Sequence, residues 1–253
     1  MWKSSGWTDA ADYHFYTWDA PFLDYTKEGK GHDIDRKKMA DLQKSEPDIF
    51  RCKIYCQQRL QIPLPSVEVI PDSASNQLST TDRVKYLLAC VFGKIGEKPC
   101  HWTDVPLIRR SSPSGGCRHP SEGYFLSSKA LNMESGFYHV QTDPLILNLL
   151  STQFDEISQI IVPEEEDNSE FLGAIVISTV FERNMYRYRE PRTFRTVHMD
   201  AGHLIGSIEI LGSELGFKVT PYLRFDEDGI LNIMKTSKLN EGVMALITLK
   251  KSR

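Results

Sequence analysis

The sequence has few cysteines, no excess of basic residues and no long apolar run. Its 253 residues carry 30 Lys and Arg against 34 Asp and Glu, a net charge of −4, whereas a nucleic-acid-binding surface normally needs a basic face. No stretch approaches the roughly 20 apolar residues of a membrane-spanning helix, and residues 1–7 lack the apolar segment of a secretory signal. The five cysteines are odd in number and irregularly spaced, which favours a reduced protein over a disulfide-bonded one. We therefore expect a cytoplasmic protein that binds neither nucleic acid nor a membrane.

The residues that are present are typical of a globular protein with an extension in front of it. Apolar residues make up 40% of the chain and charged residues 25%, which is enough for one sizeable core. Residues 1–60 are rich in aromatic and charged side chains but show no clean periodic pattern. Pro63, Pro65 and Pro71 then interrupt the chain as in a linker. The pattern predicts an N-terminal extension over residues 1–71 and a main domain over residues 72–253.

Two stretches of the main domain have the spacing of an amphipathic helix. In the first, apolar residues three and four apart predict a helix that Thr80 or Thr81 caps and that Gly93 ends. In the second, Asp200 is a plausible N-cap for a helix that closes at Gly216. Both helices carry an apolar stripe, so we expect each to pack on a sheet.

Four apolar runs predict the strands of that sheet. They are rich in β-branched and aromatic residues and cover residues 124–126, 137–140, 172–180 and 243–249. Residues 144–150 predict instead the start of a further helix. Strands and helices mixed in this way predict an α+β fold with helices flanking a central sheet.

Residues 109–120 are the most informative stretch of the chain. They read Arg-Arg-Ser-Ser-Pro-Ser-Gly-Gly-Cys-Arg-His-Pro, with little apolar side chain to bury. The glycines allow positive φ and remove the Cβ atoms that would keep a ligand away. Successive free N–H groups in such a turn bind anions, and the flanking guanidiniums add charge-assisted donors. The stretch predicts an anion-binding loop, and an ordinary surface turn is the alternative.

Residues 183–203 hold a second dense cluster of functional groups. Five arginines and two tyrosines fall within thirteen positions, namely Arg183, Tyr186, Arg187, Tyr188, Arg189, Arg192 and Arg195. Arginine binds phosphate or carboxylate bidentately, and the phenol of tyrosine can transfer a proton when cations shift its pKa. A solvated charged loop is the alternative. His198, Asp200 and His203 raise the question of a metal, but helix capping by Asp200 is simpler, so no metal site is predicted.

Together the two clusters resemble the SagB-type (thiazoline/oxazoline) dehydrogenases of the nitroreductase superfamily. The resemblance depends on an ordered set of motifs: Arg110-Ser111-Ser112-Pro113-Ser114-Gly115-Gly116, Gly136-Phe137-Tyr138-His139, Arg187-Tyr188, Arg192-Thr193-Phe194-Arg195 and Asp200-Ala201-Gly202-His203. It covers residues 78–249. Residues 11–15 and 46–48 are similar to the subgroup called peptide maturation dehydrogenases.

This resemblance implies a nitroreductase-like fold, mixed or antiparallel in its sheet, that binds FMN non-covalently at the interface of a homodimer. It also implies the two-electron oxidation of an azoline ring to an azole in a modified precursor peptide, with a cyclodehydratase as partner. The residues expected along the flavin ring are Pro113, Ser114, Gly115 and Gly116. The catalytic lysine–tyrosine pair of the family falls on Arg187 and Tyr188.

The chain departs from the family pattern at two points. Arg187 stands in place of the lysine, and a guanidinium does not accept a proton near neutral pH, so Tyr188 would have to transfer the proton. Residues 71–77 contain no arginine, although family members hold the flavin phosphate with arginines there. The cations expected to replace them are Arg83 or Lys85, Lys235 or Lys238, and Arg110 of the glycine-rich stretch. These departures leave two alternatives open: a flavin-free scaffold or peptide-recruiting subunit, and a generic NAD(P)H-dependent nitro- or quinone-reducing flavoprotein.

Overall fold

The computed structural model describes most of the predicted main domain. It covers Asp41 and residues 52–55, 60–67, 78–100, 106–163, 170–188 and 193–252. The strands in these ranges are β1 (Gln61–Pro63), β2 (Gly96–Lys98), β3 (Leu107–Arg109), β4 (Ser121–Ser127), β5 (Gly136–Gln141), β6 (Ile146–Ser151), β7 (Phe171–Val180), β8 (Phe217–Tyr222) and β9 (Glu241–Lys251). The helices are α1 (Thr80–Phe92), α2 (Phe154–Ile161), α3 (Glu182–Tyr188), α4 (Thr193–Glu214) and α5 (Glu227–Met234), with a 3-10 turn at Gly115–Cys117.

The largest element of the described ranges is a seven-stranded sheet in the order β1-β6-β5-β4-β7-β9-β8. Every neighbouring pair in it is antiparallel. Strands β2 and β3 form a separate antiparallel pair. The long strands β4, β7 and β9 lie at the centre, which is why nearly all their residues are buried.

Helices cover both faces of this sheet, and each face has its own core. On one face α1 and α4 pack on strand residues such as Phe125, Ile175 and Ile247. On the other face α2 and α5 pack on residues that alternate with these, such as Tyr124 and Val176. This period of two is the geometry of a strand covered on both sides. The predicted α+β class, with helices flanking a central sheet, is confirmed.

The four predicted strands are all present. Strand β6, in contrast, lies where the sequence predicts a helix. The helix predicted to begin in residues 144–150 is wrong, because Ile146–Ser151 pairs with β5 and with β1. Leu147 and Leu149 point into the core while Asn148 between them hydrogen-bonds Gln141 on the opposite side. This alternation is a strand signal that a short apolar run conceals.

The two predicted helices are present with different starts. Helix α1 ends before Gly93 as expected, but its N-cap is Ser79, whose side chain accepts from the backbone N–H of Asp82. Helix α4 begins at Thr193, so the prediction of Asp200 as an N-cap is wrong. Asp200 lies in the second turn of a 22-residue helix, and its side chain is free to contact another segment.

Strand β1 shows that the sheet includes residues from before the predicted domain boundary. Gln61–Pro63 pairs with β6 at one edge of the sheet. The division of the chain at residue 71 stays a prediction. Of the helices in the described ranges, none has both the length and the apolar character that crossing a membrane requires.

Candidate functional site

The predicted anion-binding loop lies along helix α4. We call residues 111–119 the glycine loop. Ser112 Oγ lies 3.0 Å from Ser207 Oγ, and Ser114 Oγ donates to Asp200 Oδ2 at 2.7 Å. Next to the second contact, a Cβ atom added to Gly115 would lie only 2.2 Å from Thr196 Cγ2. Glycine is therefore needed at position 115 because the helix itself approaches so closely.

The second half of the loop adopts an unusual backbone conformation. Gly116 has φ of 62°, and it is followed by Cys117 at 55° and His119 at 45°. A non-glycine residue in this left-handed region costs on the order of 1–3 kcal/mol and persists only where its surroundings fix it. Gly116 is exposed, so its backbone is accessible from outside. Such a loop is typical of a functional site.

Asp200 is the carboxylate that the glycine loop binds. The carboxylate, only 4% exposed, accepts from Ser114 Oγ at 2.7 Å and from the backbone N–H of Gly115 at 3.1 Å. Ser114 Oγ in turn accepts from the N–H of His119 at 2.9 Å. Burial raises the pKa of Asp200, and the bonds from Ser114 and Gly115 oppose that rise. The loop thus binds a carboxylate of the chain itself.

No metal site forms around this carboxylate. Asp200 is committed to the loop, and His198 contacts the carbonyl of Phe194. In the ranges that the structure describes, no three His, Cys, Asp or Glu side chains are grouped as metal ligands would be.

The first cation predicted at the flavin phosphate, Arg110, is buried in the sheet. Its guanidinium donates to the carbonyl of Ser121 at 2.9 Å and to Thr142 Oγ1 at 2.7 Å. Burial lowers its pKa to about 10. Arg110 therefore ties the start of the glycine loop to the sheet, and these bonds use both terminal nitrogens.

The other two predicted cations also bind acceptors of the chain. Arg83 donates to the carbonyl of Leu215 at 2.8 Å, where α4 ends, and lies 5.5 Å from the ring centroid of Phe217. Lys238 is exposed and pairs with Asp228 at 2.7 Å. None of these contacts leads to the glycine loop.

The predicted catalytic pair lies at the end of helix α3. Arg187 and Tyr188 form its last turn, and their side chains lie outside the described part of the structure. One turn earlier, Arg183 is 1% exposed. Its guanidinium binds Glu122 and donates to the carbonyl of His119 at 3.0 Å. Arg183 thus anchors α3 both to strand β4 and to the end of the glycine loop.

Glu122, which the sequence analysis did not single out, is the buried partner of that arginine. It also lies 2.8 Å from His139 Nε2. Burial opposes its negative charge, but Arg183 and His139 outweigh this effect and hold the pKa of Glu122 well below its usual range. An acidic residue inside a fully buried strand, Ser121–Ser127, is the sequence signal that could have identified it.

A second buried carboxylate lies beside the first on the same face of the sheet. Glu241 accepts from Lys53 Nζ at 2.6 Å, from Tyr124 Oη at 3.1 Å and from the hydroxyl of Ser178. The backbone N–H of Lys53 also donates to Glu122, at 3.2 Å. Residues 52–55 are therefore fastened to the sheet through both carboxylates.

The Lys53–Tyr124 contact, at 2.7 Å, is a lysine–tyrosine pair, but it supplies no base. Burial opposes the charge on Lys53, yet Glu241 outweighs it and raises the lysine pKa. Burial and the nearby Glu241 raise the pKa of Tyr124 well above its usual value. Both groups therefore keep their protons at neutral pH, and the cluster has a structural role.

A separate cleft opens at the other end of the sheet, between α2 and the start of β7. It has a volume of about 590 Å³, and its lining includes Lys129, Phe154, Asp155, Val162 and Phe171. None of the predicted site residues lines this cleft.

Comparison with solved structures shows what fold this arrangement belongs to. A candidate nitroreductase from Anabaena variabilis superposes with a TM-score of 0.69 at 22% identity, over 95% of this chain. The chain has a nitroreductase fold. A protein of the Escherichia coli microcin synthetase McbBCD complex, solved with truncated pro-MccB17 bound, superposes with a TM-score of 0.58 at 16% identity, over 97% of this chain and 92% of that one.

Among curated proteins, the chain is similar to the trifolitoxin-processing protein TfxB of Rhizobium leguminosarum bv. trifolii. The two are 28% identical over 143 residues, which is 54% of this chain. No protein-family model matches the chain. It spans 38% of the length of TfxB and 45% of the Anabaena protein.

The described residues leave room for the ring of FMN. A flat ring can approach the exposed backbone of Gly116, and a Cβ added to Gly202 or Gly206 of α4 would meet nothing within 4 Å. Arg83, Arg110 and Lys238 each bind an acceptor within the chain, and their role as ligands of the phosphate stays a prediction.

Proposed function

We propose that this protein is an FMN-dependent dehydrogenase that oxidises azoline rings to azoles in a ribosomally made precursor peptide. The nitroreductase fold supports an oxidoreductase. Similarity to a trifolitoxin-processing protein and to a protein of a microcin synthetase complex supports a role in peptide maturation. We also propose that the protein works in the cytoplasm beside a cyclodehydratase, which would supply the azoline.

The observation that carries this proposal is the glycine loop fixed on helix α4. Its hydroxyl and N–H donors at Ser114 and Gly115 point inward to Asp200, while Gly116 is exposed with a left-handed backbone. The exposed side of Pro113–Gly116 is a surface with few side-chain atoms. A planar cofactor ring can lie against such a surface without steric conflict.

In this proposal a residue of the chain accepts the proton, and the cofactor accepts the electrons. Aromatising an azoline removes a hydride and a proton from the ring, and bound FMN supplies the hydride acceptor. Tyr188, as its phenolate, takes the proton, because Arg187 is a permanent cation and cannot accept one. A neighbouring cation lowers the pKa of a phenol and so favours the phenolate.

Arg183 positions this pair. It is held by Glu122 and by the carbonyl of His119, so the helix that carries Arg187 and Tyr188 is fixed relative to the glycine loop. Arg83, Arg110 and Lys238 stay the predicted cations for the phosphate.

We further propose that the active protein is a homodimer that pairs through the outer face of α4. Met199 and Ile210 on this helix are 63% and 68% exposed, and Gly202 and Gly206 between them leave open space. Small residues flanked by apolar side chains let a second helix approach closely. The second copy would then lie beside the glycine loop.

A peptide that carries a single thiazoline tests the proposed reaction. We expect the purified protein, supplied with FMN and oxygen, to convert it to the thiazole, seen by mass spectrometry as the loss of two hydrogens. Rapid reduction of the flavin by NADPH without any peptide, together with no thiazole formation, would support the generic reductase instead.

A flavin-free scaffold is a second candidate, and one observation favours it. Three of the cations that we predicted for the phosphate, Arg83, Arg110 and Lys238, are bound to acceptors within the chain. Measured flavin content separates the two candidates directly, because a scaffold retains no FMN.

A further inference from the structure

Asp200 lies where helix formation alone would not place a carboxylate. It sits in the second turn of α4, past the N-cap position, and aspartate is among the weaker helix formers at such positions. It is also almost fully buried. A buried carboxylate is costly unless hydrogen bonds or an opposite charge compensate it, so its neighbours should show what it does.

The groups that donate hydrogen bonds to Asp200 belong to the glycine loop. Ser114 Oγ and the N–H of Gly115 donate to Asp200 at 2.7 and 3.1 Å. No arginine or lysine among the described residues forms a salt bridge with it. Ser114 Oγ also accepts from the N–H of His119. This one hydroxyl therefore links Asp200 to His119, the last residue of the glycine loop.

The loop needs such an anchor because its backbone is strained. Cys117 and His119 hold positive φ without being glycine, and such residues keep this conformation only when their surroundings determine it. Close packing of Gly115 on Thr196 sets the distance between loop and helix. The directional bonds to Asp200 set the orientation.

We infer that Asp200 is the positioning residue of the glycine loop: its carboxylate accepts from Ser114 and Gly115 and so fixes the exposed side of Gly116 for the flavin ring. This inference rests on the proposed function for the identity of the ligand, but not for the anchoring.

Alkylation of Cys117 tests the anchoring without any cofactor. Cys117 is partly exposed within the loop, and Cys90 is buried on α1. The ratio of the Cys117 iodoacetamide labelling rate in a variant to that in the wild-type protein, followed by peptide mass spectrometry, reports loop opening, and the Cys90 rate reports global unfolding. In Asp200→Asn we expect the Cys117 ratio to rise about tenfold, since a charge-assisted hydrogen bond is lost.

Two further variants make the result decisive. Glu241→Gln is the matched control, because it makes the same change at a buried carboxylate on the opposite face of the sheet. It should lower overall stability and leave the ratio unchanged. Ser114→Ala removes the same hydroxyl link without altering α4, so it should raise the ratio even if Asp200→Asn fails to fold. An unchanged ratio in Ser114→Ala and in folded Asp200→Asn would overturn the inference.

FMN titration links the anchoring to the cofactor. Where the wild-type protein binds FMN, Asp200→Asn should raise the dissociation constant for FMN about tenfold, and Glu241→Gln should not change it. Equal FMN affinity in all three proteins would refute the flavin-facing role. If the wild-type protein binds no FMN, the proposed function fails, while the Cys117 ratio still tests Asp200.

Discussion

Replacing Arg183 by methionine should strongly destabilise the protein. Methionine keeps most of the side-chain volume but removes the guanidinium that binds Glu122 and the carbonyl of His119. Both members of the ion pair are 1% exposed, so the carboxylate left behind has no access to water. Removing one partner of a buried ion pair costs about 3–5 kcal/mol, a large share of the roughly 5–15 kcal/mol that stabilises a typical domain.

Urea unfolding followed by circular dichroism measures this loss of stability. A double-mutant cycle shows how much of it comes from the interaction between Arg183 and Glu122. Arg183→Met should lower the free energy of unfolding by about 3–5 kcal/mol. Adding Glu122→Gln removes the uncompensated charge, so the double variant should be more stable than the sum of the single losses predicts, by about 1–3 kcal/mol. Arg224→Met is the control on an exposed arginine and should change the stability by less than about 0.5 kcal/mol.

Two outcomes would refute this reasoning. One is a loss below about 1 kcal/mol in Arg183→Met, which is the typical effect of any substitution. The other is strict additivity in the cycle, which would show that Arg183 and Glu122 do not interact. Either result would remove Arg183 as the anchor of helix α3.

Two more predictions concern pH and turnover. Burial, together with Arg110, lowers the pKa of His119 from 6.5 to about 3, so between these pH values the unfolded chain binds a proton that the folded protein does not. The free energy of unfolding should therefore fall by about 1.4 kcal/mol for each pH unit below about 6.5. In urea titrations between pH 6.5 and 5, His119→Gln should abolish this contribution of His119 to the slope. Tyr188→Phe should abolish thiazoline oxidation and leave the bound flavin unchanged, as measured by peptide mass spectrometry and absorbance, and retained turnover would take Tyr188 out of the mechanism.

The parts of the fold that the sequence predicts are those with a strong local signal. Helix α1 has apolar residues three and four apart, and strands β7 and β9 are long runs rich in β-branched residues. Strand β6 was missed because its run is short, and its pairing with the distant strand β1 decides its conformation. The N-cap at Asp200 failed for a related reason: the preceding residues, Thr193 to Met199, already form the helix.

In the candidate site, too, the sequence predicts the local feature and not the long-range contacts. The glycine loop was evident from composition, because adjacent glycines among arginines and serines are unusual in a packed domain. Its true anion, Asp200, was noticed but given a local role, since its contact with Ser114 joins residues 86 apart. The contact of Lys53 with Glu241 spans 188 residues and has no local signal. Long-range pairing of charges is a property of the folded core, which a single sequence does not display.

The flavin content of the purified protein decides whether this chain is a flavoprotein. After reconstitution with FMN and gel filtration, we expect a yellow protein whose visible flavin absorbance elutes with it and is lost when FMN is released by denaturation. A colourless protein that retains no FMN under these conditions would show that it is not an FMN-dependent dehydrogenase.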